Sequence, residues 1–373
     1  MDWSPDNCLR CKRLLCFNIE FGDVDRGVGG ELFVFRETVR RGWPPCIYAI
    51  PFTFCCKLLR GWIDLYTEDV SQEEGDSGIR WELALPPASI RALSQALRDL
   101  KACVFLALMG HRRIATGVLR SVLEKYLVAL WFYARQVKLF IEHREPPEKV
   151  LKEFIDDVLL YFGGAEEEEE EGKERREEYV VPDSEIRFVK RWLSDKKKAP
   201  HIKGGYLSGS FILLWLKAFG NWLAKERKYQ IRLQDLLGED ADVIPSYTVV
   251  EKELCGSLKK QLDRYVHAAK ESYESFSERC PLCFAAVYYD EDELKSFTKY
   301  YQDILFFIFT LLYKTLRLAN PECRNQLLKE VREALEGFKK VLEEASQETG
   351  IRIDERILSR RLRHLIYTGI VRI

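Results

Sequence analysis

The sequence predicts a mainly α-helical protein: a helical bundle carrying a small β-rich N-terminal module, and so α+β overall. Three observations lead there. From Pro86 onward, apolar residues recur at helical spacing almost to the end of the chain. Residues 1–85 instead hold short runs rich in β-branched and aromatic residues, separated by turn signals. The chain has 373 residues, 47% hydrophobic and 12% aromatic, which is enough for a substantial core in two or three domains.

In the N-terminal module, strands are expected over residues 14–21, 31–39, 47–54, 61–66 and 79–85, with GDVDRGVGG, RGWPP and EEGDSG as the turns between them. The glycine-rich stretch Asp23 to Gly30 has neither phosphate-loop nor dinucleotide spacing, and it reads as a hairpin connection. At Pro86-Pro87 the texture changes. Ser89 follows, and a first helix begins there. A second helix is expected over 111–145, closed by Pro146-Pro147, and a third over 148–162, ended by Gly163-Gly164.

Residues 163–182 read as an acidic insertion in the bundle, centred on AEEEEEEGKERREE. Like-charge repulsion favours a solvated linker there; an acidic mimic of nucleic acid is the functional alternative. The sign then flips. Lys190, Arg191, Lys196, Lys197 and Lys198, with Phe188 and Trp192 interleaved, are the candidate RNA-phosphate contacts. A solvated helix end that balances the acidic run would look the same. Helices over 207–229, 249–278 and 291–318 complete a bundle spanning 86–320, and charged helices over 321–347 and 355–367 fill a C-terminal region, 321–373.

Charged residues make up 31% of the chain, but they cancel to a net charge of −1, so nucleic-acid binding would require a local patch. The start, MDWSPDNCLRCKR, lacks a signal-peptide core, and the apolar runs 304–313 and 211–216 fall short of the roughly 20 residues that span a bilayer. A cytoplasmic protein with no membrane partner is expected. Abundant Glu, Lys and Arg with little Asn, Gln or Met leans toward a thermophilic source. No phosphate loop, nucleophile elbow, H-E-x-x-H or deaminase signature is present.

Two helices carry the candidate chemistry. In SLKKQLDRYVHAAKESY, residues 257–273, Lys260, Arg264, His267 and Glu271 share one helical stripe beside an apolar face of Leu258, Leu262, Val266 and Ala269. In the 111–145 helix, Leu119, Leu123, Tyr126, Leu127, Leu130 and Ala134 make a broad apolar face, with further valines covering much of the rest, as in a central buried helix. Arg120 and Glu124 interrupt that surface. Charges so placed must pair with each other or face a ligand.

Together, VLRSVLEKYLVAL and the later LDRYVHAAKES resemble the HEPN superfamily. That resemblance covers about residues 87–160 and 205–318. It implies an up-and-down helical bundle, often dimeric, associated with RNA and with antiviral defence. Active members are metal-independent endoribonucleases with an arginine a short way before a histidine. For this chain the resemblance implies His267 as general acid or base, Lys260 and Arg264 on the phosphate oxygens, Arg120 joining them across the bundle, and Glu124 orienting a cation. No cofactor is then required, and the partners would be RNA, a ribonucleoprotein, or a protein or second copy held through the bundle. Lys260 occupies the place of the family's arginine. A lysine keeps the cation and loses the bidentate fork, so a catalytically decayed RNA-binding relative is equally compatible. The other reading is a non-enzymatic scaffold subunit of an archaeal antiviral, CRISPR-type ribonucleoprotein.

Eleven cysteines include two C-x-x-C pairs, Cys8/Cys11 and Cys280/Cys283. Four such thiolates would suit a tetrahedral structural zinc if the N-terminal module docks near residue 280; free thiols or disulfides are the alternatives.

Overall fold

A long, nearly all-buried helix organises the molecule. The computed structural model describes residues 55, 59–63, 80–108, 112–163, 179–193, 205–266, 291–320, 323–349, 352 and 355–371. The helices are α1 (Pro87–Leu108), α2 (Arg112–Glu142), α3 (Glu148–Gly163), α4 (Asp183–Trp192), α5 (Gly209–Lys225) and α6 (Arg227–Leu237). Residues 247–266 form one helical segment, α7, whose middle, Val250–Lys259, is π-helical. Then follow α8 (Glu291–Ala319), α9 (Cys323–Thr349) and α10 (Arg360–Val371). The protein is mainly α, and no helix among the described residues is long and apolar enough to cross a membrane.

α2 is central because its apolar residues run nearly all the way round. Leu119, Leu123, Tyr126, Leu130, Trp131, Phe132, Tyr133 and Val137 are all buried. α1 packs along it, and Ser89 Oγ donates to the Ala129 carbonyl at 2.7 Å, which fixes their register. α8 supplies the facing layer through Tyr301, Ile304, Leu305, Ile308 and Phe309.

In two of the segments expected as strands, the described residues form no strand. Gly61 to Ile63 are helical, and Trp81–Leu83 form a single 3-10 turn. Trp62, Ile63 and Leu83 are buried in the bundle instead. Trp62 is buried edge-on against Phe309 with centroids 5.1 Å apart, and the Arg80 N–H donates to the Ala319 carbonyl at 2.8 Å. Gln136 Nε2 donates to the Ala84 carbonyl at 2.8 Å. The other expected strands lie outside the described residues, among which the only β pairing is an isolated bridge between Val180 and Tyr206.

The expected 207–229 helix is broken at Glu226, whose φ of −114° and ψ of 83° are not helical. Packing explains the turn. Tyr229 folds back over Trp222 at 4.4 Å, and Arg232 donates to the carbonyls of Ile141 and Glu142 at 2.8 and 3.0 Å. An arginine from α6 thus satisfies the open C-terminal end of α2. α6 ends at Gly238, whose φ of 55° lies where glycine meets no side-chain penalty.

Candidate functional site

α2 and the last turns of α7 do pack together, bringing the two candidate stretches side by side. The apolar face expected of α7 is seen in Leu258 and Leu262, both buried. Above it, Arg120 Nε donates to Asp263 Oδ1 at 2.5 Å, and its Nη1 lies 2.9 Å from Glu124 Oε1. Lys259 Nζ donates to the other Asp263 oxygen at 2.6 Å. The four side chains alternate in sign and cancel. α5 closes in from above: a Cβ on Gly209 would lie 3.3 Å from Glu124 Cγ, so glycine permits the approach.

Arg120 and Glu124 are therefore neighbours, as the sequence suggested, but their third partner is Asp263. Lys260 is exposed to solvent. Arg264 lies on the α7 helix, with its side chain outside the description, and His267 lies outside the described residues. The sequence reading missed Lys259 in this cluster. The available signal was the spacing of Lys259 and Asp263, which matches that of Arg120 and Glu124.

Burial works to raise the Asp263 pKa, but the hydrogen bonds from Lys259 and Arg120 outweigh it and hold the carboxyl below its ordinary value. A depressed carboxylate stabilises the fold above the unfolded pKa, and that contribution is lost as pH falls through the folded one. Wild type and Asp263→Asn should therefore differ most in stability near neutrality and converge in acid below the ordinary value of 3.8. Denaturant midpoints across pH would check this. A double-mutant cycle on Arg120 and Asp263, both about a quarter exposed, should return a coupling of about 1 kcal/mol.

A second charged cluster lies deeper. Arg135 is 8% exposed, with its guanidinium 4.5 Å over the Trp131 ring. It donates to Asp157 and, from Nε at 3.3 Å, to Glu185. The spare oxygens are occupied: Tyr179 Oη donates to Asp157 at 2.7 Å, and Trp215 Nε1 donates to Glu185 at 2.6 Å. Burial works against the charge on Arg135, but Glu185 and Asp157 more than offset it and hold the guanidinium pKa above its usual value. The cluster ties α2, α3, Tyr179, α4 and α5 together. No buried side-chain nitrogen or oxygen of these five residues lacks a partner, so the cluster reads as structure that positions α4.

α4 is where the expected RNA-binding run begins. Its first turn carries Asp183 and Glu185 and its last turn Lys190 and Arg191, matching the helix dipole at both ends. Lys190 and Arg191 are exposed, as is Arg187, and none of the three forms an ion pair among the described residues. Lys196, Lys197 and Lys198 lie outside them.

The zinc expectation also lies outside: Cys8, Cys11, Cys280 and Cys283 are not among the described residues, which themselves contain no cluster able to hold a metal ion. Cys55 and Cys103 are buried in the core. Burial pushes the thiol of Cys255 up, against the opposing charge of Lys217.

Fold and site together define an α-helical bundle with a charge-balanced joint between α2 and α7 and a basic edge on α4. Comparison of the chain with protein-family models, with curated proteins and with solved structures finds no match.

Proposed function

We propose that the chain is a cytoplasmic, HEPN-like RNA-associated protein of antiviral defence, and that it binds RNA rather than cleaving it. The observation that carries the RNA reading is the α4 edge: Arg187, Lys190 and Arg191 are exposed, form no ion pair among the described residues, and are interleaved with Phe188 and Trp192. A phosphate is recognised by cations free to approach it. The argument against cleavage comes from Arg120. Two carboxylates already neutralise its guanidinium, so a phosphate there would have to compete with both.

The test is incubation of structured and unstructured RNA with the full chain, with and without EDTA, over a broad pH range, alongside binding measured at several salt concentrations. Intact RNA, bound with an affinity that falls steeply with salt, is the expected result. Cleavage that persists in EDTA and is lost in His267→Ala would establish the endoribonuclease instead.

A scaffold subunit of a CRISPR-type ribonucleoprotein is the second reading. It is favoured by the outer face of α3, where Ile155, Leu159 and Leu160 are 46%, 50% and 60% exposed. Structural zinc on Cys8, Cys11, Cys280 and Cys283 belongs to this reading. Stoichiometric zinc by elemental analysis, lost in Cys280→Ser/Cys283→Ser, is its expected sign.

A further inference from the structure

Between the C-terminal part of α2 and helices α4, α5 and α6 lies an open groove of about 640 Å³. That volume falls in the roughly 300–1,000 Å³ range of small-ligand sites. Its walls combine cations with flat aromatic surfaces. Lys138, Arg187, Arg191 and Lys228 face two carboxylates, Glu142 and Glu226, so the lining is net positive. Lys138 already pairs with Glu142 at 3.3 Å, whereas Arg187 and Arg191, four residues apart on one face of α4, have no ion-pair partner among the described residues.

Two ring systems stand among these charges. The half-buried Trp192 indole has the Arg191 guanidinium 5.3 Å from its centroid and the Lys225 ammonium at 5.9 Å. Tyr229, also half-buried, rests on Trp222 at 4.4 Å, with Lys228 4.6 Å from its centroid. Asn221 Nδ2 holds the Trp192 main-chain carbonyl at 3.2 Å, and the Tyr229 ring is backed by the buried Trp222. The groove therefore presents aromatic surfaces with cations around them.

We infer that this groove holds an unstacked base of single-stranded RNA, with the base against Trp192 or Tyr229 and the flanking phosphates on Arg187 and Arg191. The inference rests on the RNA-associated reading and names the class of RNA. Cations alone would serve any anion, including an acidic peptide. Aromatic rings lining the groove beside them add affinity only for a ligand with a planar face of its own, and every base has one. A duplex keeps its bases stacked inside the helix and has none to insert.

The test is fluorescence anisotropy of a labelled single-stranded RNA oligonucleotide, free and annealed to its complement, on the full chain. The single strand should bind about tenfold more tightly than the duplex. Trp192→Ala should weaken it about tenfold, and Trp192→Phe, which keeps the stack, should stay near wild type. If Trp192→Ala does not fold, the exposed pair Arg187→Gln/Arg191→Gln carries the same expectation. Equal binding of both RNA forms, with no effect of Trp192→Ala, overturns the groove assignment and leaves RNA association standing. Binding of neither form removes both. Displacement of the RNA by a poly-glutamate peptide, equally effective on wild type and Trp192→Ala, marks a site for an acidic protein segment and also overturns the assignment.

Discussion

Arg135→Ala is expected to lower the unfolding free energy by about 3–5 kcal/mol, measured by chemical denaturation at neutral pH. Truncation leaves Asp157 and Glu185, 14% and 10% exposed, without their shared cation. It also strips the cation from the face of Trp131. Two carboxylates left in a poorly solvated pocket cost far more than an exposed ion pair returns. Arg135→Lys should fall between wild type and alanine, because a point charge cannot reach both acids as the guanidinium fork does. A loss below about 1 kcal/mol in the alanine variant would mean that water reaches the two acids freely, which their burial contradicts.

Trp62→Ala should cost a similar amount, about 3–5 kcal/mol, and it should do so in the same cooperative transition as the bundle. Trp62 is 2% exposed and wedged between Phe309 and Tyr313 of α8, with centroids at 5.1 and 5.8 Å. Removing the indole opens a cavity against the helix that faces α2. If the variant instead shows a separate early transition while the main one keeps its midpoint, residues 59–63 fold independently of the bundle. Calorimetry distinguishes the two outcomes.

Much of the helical framework is legible in the sequence, because its signals are local. Pro86-Pro87, Pro146-Pro147 and the spacing of Leu119, Leu123 and Leu130 fix α1, α2 and the start of α3 within a few residues. Other features depend on residues far apart in the chain. The break at Glu226 has no glycine or proline to announce it; it follows from Trp222 and Tyr229 stacking and from Arg232 reaching the end of α2. Trp62 and Ile63 carry strand-like composition, yet residues 61–63 are helical because burial against α8 outweighs a weak β preference.

The candidate site divides the same way. The Arg120 and Glu124 spacing correctly placed a pair, since residues four apart on a helix are neighbours. Leu258 and Leu262 turn inward as expected, and at helical spacing this puts Lys259 and Asp263, each one residue on, beside that face, and Lys260, two residues on, on the far side. Asp263 therefore meets Arg120, and Lys260 is exposed to solvent. Arg135 looks like an ordinary member of a long helix until Asp157 and Glu185 arrive from α3 and α4.

The most direct test of the account is the salt dependence of RNA affinity in two variants measured side by side. Each single-strand phosphate neutralised adds roughly 0.7 to the steepness of log affinity against log salt. Arg187→Gln/Arg191→Gln should flatten that line by roughly one unit or more, and Arg120→Gln should leave it unchanged. A slope that falls for Arg120→Gln and holds for the α4 pair would contradict the account and move the phosphate to the joint between α2 and α7.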